Sequence, residues 1–377
     1  MMVTIYILGL LVSFYLLAKI CEEWFVESLD IIAKRLKLSH DVAGATLMAV
    51  GSSAPEFFTA LIALTKAGSE NIGAGTIVGS AIFNVLVIVG GSAVVATAYL
   101  NWRPVVRDLL FYIVAILVLL FTFSDGMITL AEAIVYVIFY GVYILLLSQW
   151  SRWFTNGAKT GVEMIEKFEE KVHKKERRSH QAFLVLDRWT GWLLGLLLPD
   201  VSKHPKTYLR VFFTSIALIA ACSWVLVELA VLLSREVGIP EVIIALTVLA
   251  GGTSIPDLLS SLIVAKQGRG DMAVSNAIGS NTFDILICLG LPWLVYVLYV
   301  GKAVIVSTEN LISSIFLLFF TVVALLFVLA VQKFKIGHRS GYILIFLYIL
   351  YVGYNIMSVI NPNVLSIEQW MASVVTL

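Results

Sequence analysis

Two short segments of this sequence place a carboxylate directly after a proline inside a strongly apolar stretch. Residues 51–58 read GSSAPEFF, and residues 252–258 read GTSIPDL. A proline inside a helix removes one backbone donor and collides with the carbonyl group four residues earlier, so each segment is expected to interrupt its helix and release carbonyl oxygens. Such oxygens can bind cations where an interrupted helix lines a cavity.

The oxygen-bearing side chains around these two breaks form one candidate ion site. Its carboxylates are Glu56, Asp257 and Asp284, and its amide is that of Asn84. Its hydroxyl groups belong to Ser52, Ser53, Ser80, Thr253, Ser254 and Ser280. These are hard ligands without paired cysteine or histidine, which favours Na⁺, K⁺ and Ca²⁺ over zinc or copper.

Each of these residues also has a purely structural explanation. An isolated proline in a membrane helix usually makes a kink, and a serine usually bonds to its own helix. A carboxylate near the bilayer centre is different, because it costs at least ~2.5–3.5 kcal/mol on insertion scales. Three carboxylates at matched depths therefore indicate an ion site. By contrast, Glu27, Glu132 and Glu228 lie nearer to helix ends and are interpreted as structural.

The elements that must hold this site are membrane-spanning helices. The chain has 377 residues, of which 60% are hydrophobic and 14% charged, and its mean hydropathy is +0.95. A crossing needs about 20 apolar residues. Ten such runs recur, at 2–20, 40–66, 72–98, 107–124, 126–148, 209–233, 240–266, 272–299, 310–332 and 341–360. The sequence therefore predicts an all-α polytopic membrane protein with ten transmembrane helices.

The two proline segments belong to an internal repeat. The aligned segments are 44–63 with 245–264, at an offset of 201, and 75–90 with 275–290, at an offset of 200. Glu56 then matches Asp257, and Asn84 matches Asp284. Because each half has five predicted crossings, an odd number, the two copies must lie upside down relative to each other in the membrane. Inverted repeats with special residues near the midplane are typical of secondary transporters.

The positive charges predict the orientation of the chain. With the N-terminus outside, 22 Lys and Arg residues lie in cytoplasmic connections and 3 lie outside. The bias remains 10 to 3 when the long central loop is left out. The net charge of +1 gives no reason to expect a nucleic-acid partner. The three cysteines lie in or beside apolar helices, so no disulfide framework is expected.

These observations divide the chain into three predicted parts. They are a five-helix repeat at 1–148, a cytoplasmic loop at 149–208 and a second five-helix repeat at 209–377. In the loop, Ile165, Phe168 and Val172 share one face of a predicted amphipathic helix. Residues 189–198 are apolar but too short to span, and we expect them to lie in the membrane interface.

The motifs also carry a family resemblance. Residues 40–56 read HDVAGATLMAVGSSAPE, and residues 252–293 read GTSIPDLLSSLIVAKQGRGDMAVSNAIGSNTFDILICLGLPW. Both resemble the signatures of the potassium-dependent sodium/calcium exchangers of the calcium/cation antiporter superfamily. The resemblance covers roughly residues 21–92 and 222–293, and the remaining helices match only in being apolar.

The resemblance implies ten helices in two inverted repeats around a four-ion cluster, and sodium-driven exchange of calcium. It implies that Glu56 and Asp257 bind calcium and that Asp284 is associated with potassium. The residues implied for sodium are Ser52, Ser53, Ser80, Thr253, Ser254 and Ser280, with the carbonyl groups of Ala49 and Ala250. The expected partners are Na⁺, Ca²⁺ and K⁺ as transported ions and the lipid bilayer, without a cofactor or enzymatic activity. The expected location is the plasma membrane, and an oligomer is not required.

Several other functions stay open at this point. A proton/calcium antiporter is the nearest, although that branch tends to carry an asparagine where this chain has Ser52 and Thr253. Sodium/calcium exchange without potassium is the second. A calcium channel would need a continuous pore, whereas the repeat places a closed site within one chain. An intramembrane aspartyl protease is suggested only by GRGD at 268–271, which lies in a short connection rather than in a membrane helix.

Overall fold

The structure is a computed structural model that describes residues 2–36, 49–66, 68–154, 190–201, 205–266, 270–306 and 311–360. Almost all of these residues are helical. Eight helices are long and apolar enough to cross a membrane, namely Met2–Ile32, Glu70–Val95, Trp102–Asp125, Leu130–Gln149, Tyr208–Val237, Asn276–Val300, Leu311–Val331 and His338–Met357. A further crossing consists of two helices, Glu241–Thr253 and Asp257–Lys266, that meet at an angle of 45°.

The all-helical polytopic fold is thereby confirmed, and nine of the ten predicted crossings correspond to described helices. The tenth, predicted at 40–66, is described only from Ala49 onward. Its second half forms the apolar helix Ala54–Thr65. The count of ten therefore stays a prediction, as do the boundaries of the three predicted parts of the chain.

Three of the described crossings end at glycines that adopt a left-handed backbone conformation, the first of them Trp102–Asp125 at Gly126, whose φ is 71°. Helix Tyr208–Val237 ends at Gly238, whose φ is 75°, and helix Gly290–Val300 ends at Gly301, whose φ is 72°. The Gly238 and Gly301 amides bond back to the helices that they end, at Ser234 and Val297 respectively. Glycine adopts this conformation without the steric cost that a side chain would add, so these helices stop where the sequence places it.

Four two-residue strands show that the halves are inverted. Strand β1 (Ala98–Tyr99) precedes the crossing Trp102–Thr122, and β2 (Met127–Ile128) follows it. Strand β3 (Val304–Ile305) precedes Leu311–Val331, the fourth crossing of the second half, and β4 (Lys335–Ile336) follows it. Because β1 pairs with β4 and β2 pairs with β3, these two equivalent helices run in opposite directions.

Buried apolar side chains form two clusters. Among the described residues, the larger lies within 60–143 and 242–351. The smaller lies between helix Met2–Ile20 and helix Tyr208–Val237, which pack along each other. This helix pair therefore forms a separate layer against the rest of the molecule.

The apolar segment at 190–201 packs against that layer. It contains one short helical turn, at 190–195, and Leu194, Leu198 and Val201 are buried in the smaller cluster. This turn is too short to span a membrane, and the position of the segment in the membrane interface stays a prediction. The amphipathic helix predicted around Ile165 lies outside the described residues.

Glycine allows a close approach between the two halves at Gly79. A Cβ atom at Gly79 would lie 2.6 Å from the Cβ atom of Ala250, in the interrupted helix of the other half. The repeat-matched Gly279 has no such neighbour, since a Cβ atom there would meet nothing within 4 Å. Small residues allow close helix packing in membranes, and this crossing depends on one.

We expect Gly79→Val to destabilise the protein and Gly279→Val to leave its stability nearly unchanged. Overpacking a well-packed site costs about 1–3 kcal/mol, and only Gly79 lies at such a site. The measurement is the midpoint of thermal unfolding of the purified protein in detergent. Equal midpoints for the two variants would contradict the close approach at Gly79.

Candidate functional site

Both proline segments interrupt their helices at a serine. Helix Ala49–Ser52 stops before Ser53, and helix Ala54–Thr65 begins after it. In the second half, helix Ala250–Thr253 stops before Ser254, and Ile255–Lys266 follows it. Ser53 has φ −96° and ψ 11°, and Ser254 has φ −90° and ψ 1°. The predicted helix breaks are thus confirmed, and both have the same geometry.

The carbonyl groups of Ala49 and Ala250 lie at equivalent positions in these breaks. Each accepts a bond from the amide of the interrupting serine, at 3.0 Å from Ser53 and 3.3 Å from Ser254. Each also accepts a bond from a hydroxyl group, at 3.4 Å from Ser52 and 3.3 Å from Thr253. A hydroxyl group that donates its hydrogen keeps the lone pairs of its oxygen, so the Ser52 and Thr253 oxygens stay available to a cation.

Asn84 and Asp284 also occupy equivalent positions, each as the first residue of a π-helical turn. These turns are Asn84–Ile88 and Asp284–Leu289. Such turns are rare and occur frequently at functional sites, because they redirect side chains locally. Both side chains are buried, and they lie on crossings adjacent to the broken helices.

The structure brings most of the predicted site residues together. The hydroxyl groups of Ser80 and Ser254, from opposite halves, lie 2.7 Å apart. The Glu56 carboxylate is 2% exposed and interacts with the side chains of Asp284 and Thr253. One of its oxygens, Oε2, is buried without a hydrogen-bond partner among the described residues. The centre of the protein therefore holds charge that its own donors only partly satisfy.

Asp257 and Asp284 complete the set of carboxylates. Asp284 is 2% exposed, lies beside the Ser53 side chain and is near enough to Asp257 to be repelled by it. Asp257 itself is only half-buried. Among the described residues, no three Asp, Glu, His or Cys side chains converge closely enough to hold a metal ion. A cation bound here would therefore need hydroxyl, amide and carbonyl oxygens in addition to carboxylates.

Two residues of this region were not predicted from the sequence. Asn281 is fully buried and bonds to Asn84, with 2.8 Å from Asn84 Nδ2 to Asn281 Oδ1. The Cys288 thiol lies 3.8 Å from Asp284 Oδ1 and 3.7 Å from the Ser53 carbonyl oxygen. Both residues fall within the repeat, but their counterparts Ala81 and Ile88 are apolar. Matching the two copies therefore gave no signal for either residue.

The two faces of the site differ in exposure although their sequences match. Ser52 is exposed, whereas its counterpart Thr253 is 4% exposed. Ser280 is half-buried, whereas Ser80 is 1% exposed. Ser52 and Ser280 therefore form the more exposed face of the site, and Thr253 and Ser80 form the less exposed one.

Comparison with known proteins agrees with this geometry. Residues 6–149 and 207–357 match the profile of the family described as sodium/calcium exchanger protein. The chain belongs to the sodium/calcium exchanger protein family. The resemblance inferred from the motifs is thereby confirmed, and this family is one of transporters rather than enzymes.

Named relatives of the chain are sodium/potassium/calcium exchangers. Human sodium/potassium/calcium exchanger 4 is 28% identical over 510 aligned positions, which cover 95% of this chain and 82% of the human protein. Rat sodium/potassium/calcium exchanger 3 is 29% identical over 526 positions, which cover 95% of this chain and 84% of the rat protein. The exchanger family therefore resembles this chain along nearly its whole length.

Solved exchanger structures share the fold. The H⁺/Ca²⁺ exchanger CAX superposes with a TM-score of 0.65 at 15% identity, over 95% of this chain and 82% of that one. The sodium-calcium exchanger NCX_Mj superposes with a TM-score of 0.56 at 22% identity, over 93% of this chain and 98% of that one. These likenesses establish the architecture of the exchanger family for this chain.

The difference in exposure predicts a difference in chemical access. We expect Ser52→Cys to react with a membrane-impermeant thiol reagent at least about tenfold faster than Thr253→Cys, because thiol reactivity requires exposure. The measurement is the labelled fraction against time in purified protein, with the unsubstituted chain as the control. Equal labelling rates would contradict the difference in exposure.

Proposed function

We propose that this protein is a secondary active antiporter that exchanges Na⁺ for Ca²⁺ and co-transports K⁺ with Ca²⁺. The observation that carries the proposal is the pair of interrupted helices, one from each inverted half, beside the buried carboxylates of Glu56 and Asp284. A buried carboxylate in a membrane protein marks an ion pathway unless a partner neutralises it. The named relatives of this chain are sodium/potassium/calcium exchangers, which agrees with the proposal.

We assign the ligands as the sequence predicted. Glu56 and Asp257 bind Ca²⁺, Asp284 binds K⁺, and Asn84 supplies a further amide oxygen to the site. Na⁺ is bound by hydroxyl groups and by two carbonyl groups, those of Ser52, Ser53, Ser80, Thr253, Ser254, Ser280, Ala49 and Ala250. The two hydroxyl groups at Ser52 and Thr253 favour Na⁺ over H⁺ as the driving ion, although the H⁺/Ca²⁺ exchanger CAX has the same fold.

The electrostatic charge of the site explains why potassium accompanies calcium. Ionised Glu56, Asp257 and Asp284 carry three negative charges, and an uncompensated charge is costly in a low-dielectric site. One Ca²⁺ leaves a single negative charge, which one K⁺ neutralises. Exchange without K⁺ is the alternative, and it requires Asp284 to carry a proton.

The proposed location is the plasma membrane, with the N-terminus outside and the central loop in the cytoplasm. The excess of Lys and Arg in the connections of one side supports this orientation. The more exposed face at Ser52 would then lie on the cytoplasmic side, since Ser52 belongs to the first half of the second crossing. Both halves of the site come from one chain, so the function does not require an oligomer.

We expect Glu56→Gln and Asp257→Asn each to abolish Ca²⁺ transport in a protein that still folds. Removing one partner of a buried charge interaction costs roughly 3–5 kcal/mol, so initial uptake should fall more than about a hundredfold. The measurement is ⁴⁵Ca²⁺ uptake into proteoliposomes under an imposed Na⁺ gradient. Glu132→Gln, which changes a carboxylate at a helix start, is the matched control. Near-normal uptake by either site variant would refute the ligand assignment.

We expect Asp284→Asn to exchange Na⁺ for Ca²⁺ without K⁺, because the two remaining carboxylates match the charge of one Ca²⁺. The same proteoliposome assay is run with K⁺ replaced by choline. Wild-type uptake should then fall at least about tenfold, which corresponds to ~1.4 kcal/mol of coupling, and uptake by the variant should persist. Wild-type uptake that is independent of K⁺ would remove potassium from the mechanism and leave sodium/calcium exchange.

A further inference from the structure

Asn281 connects the two halves of the protein beside the site. It lies in helix Gly270–Phe283 of the second half, and its side chain is fully buried. Its Oδ1 atom accepts a bond of 2.8 Å from Asn84 Nδ2 in the first half, and its Nδ2 atom donates one of 3.4 Å to the Ala81 carbonyl oxygen. We propose that Asn281 is a positioning residue that turns the Asn84 amide so that its oxygen is available to a transported cation.

The direction of these bonds follows from the chemistry of the three groups. A backbone carbonyl oxygen can only accept, so the Asn281 NH₂ group must face Ala81. The Asn281 oxygen then faces Asn84. Because this oxygen accepts a hydrogen bond, the Asn84 NH₂ group must point toward it. The orientation of an amide is assigned from its hydrogen bonds, and the Ala81 carbonyl sets both amides here.

The consequence is visible at the other end of the Asn84 amide. Its Oδ1 atom is buried and has no hydrogen-bond partner among the described residues. A buried acceptor without a donor is unfavourable, and a bound cation removes that cost. If the amide were reversed, it would present an NH₂ group to the cation and repel it.

The arrangement is reciprocal between the halves. Asn84 of the first half is held by Asn281 of the second, and its counterpart Asp284 lies beside Ser53 of the first half. A carboxylate has an oxygen at either position and needs no such orientation, whereas an amide does. This difference explains why Asn84 has a polar positioning residue, Asn281, whereas the equivalent position for Asp284 is occupied by Ala81.

The test rests on the proposed function and uses the full chain in proteoliposomes. Initial ⁴⁵Ca²⁺ uptake is measured against the concentrations of Ca²⁺, K⁺ and Na⁺. We expect Asn281→Ala to raise the half-saturating concentration of at least one cation about tenfold, with a maximal rate within about twofold of wild type, since only cation binding is weakened. Asn355→Ala is the matched control, because Asn355 is also buried and donates to a helix carbonyl, that of Tyr351, outside the site.

Two further comparisons separate positioning from direct binding. If Asn281 acts through Asn84, the Asn84→Ala/Asn281→Ala double variant should behave like Asn84→Ala alone. In an Asn84→Asp background, Asn281→Ala should have no effect on half-saturation, because a carboxylate has no amide orientation to fix. Additive effects in the double variant would show that Asn281 binds the cation itself and would overturn the proposal.

The outcomes also distinguish this inference from the proposed function. If the wild type exchanges ions and Asn281→Ala has unchanged half-saturation for all three cations, only the positioning role is refuted. If the wild type shows no exchange, the proposed function fails, and the shift of the thermal unfolding midpoint by added Ca²⁺, K⁺ or Na⁺ then tests the positioning role by itself. Should Asn281→Ala not purify as folded protein, Asn281→Ser, whose hydroxyl is too short to reach both partners, replaces it in every comparison.

Discussion

Glu56 and Asp284 are each 2% exposed inside a protein whose outer surface faces hydrocarbon, and the rest of the central structure depends on how these carboxylates are accommodated. Burying a charge without a partner has a high free-energy cost in a membrane protein. No lysine or arginine lies at the described site to neutralise them. The surrounding groups are instead hydroxyl, amide and carbonyl groups, so the compensating positive charge comes from bound cations or from protons on the carboxyl groups.

The two inverted halves contact each other at the site that holds these buried carboxylates. Each half contributes one broken helix, one π-helical turn and one pair of hydroxyl groups, and contacts such as Ser80–Ser254 and Asn84–Asn281 cross between the halves. A displacement of one half against the other would therefore alter several ligand positions together. Under the proposed function, this coupling would link ion binding to a rigid-body movement of one repeat against the other, as in secondary transporters with inverted repeats.

The two halves differ in structure at several positions where their sequences match. Gly79 packs closely against Ala250, whereas a Cβ atom at Gly279 would have no neighbour within 4 Å. Thr253 is buried, whereas Ser52 is exposed. Two sequences that match at these positions thus adopt different environments within one molecule.

The sequence by itself determined the membrane class, the approximate positions of nine crossings, the inversion of the halves and the two breaks at Ser53 and Ser254. These features depend on local rules, such as the length of apolar runs, the missing amide of proline and the parity of a repeat. The polar contacts beyond the repeat signature did not follow from them. Asn281 and Cys288 face apolar residues in the aligned copy, so only the tertiary structure showed that they contact Asn84 and Asp284. The tertiary structure also decided which of the matched hydroxyl groups are exposed, because packing between helices far apart in the chain differs where their sequences agree.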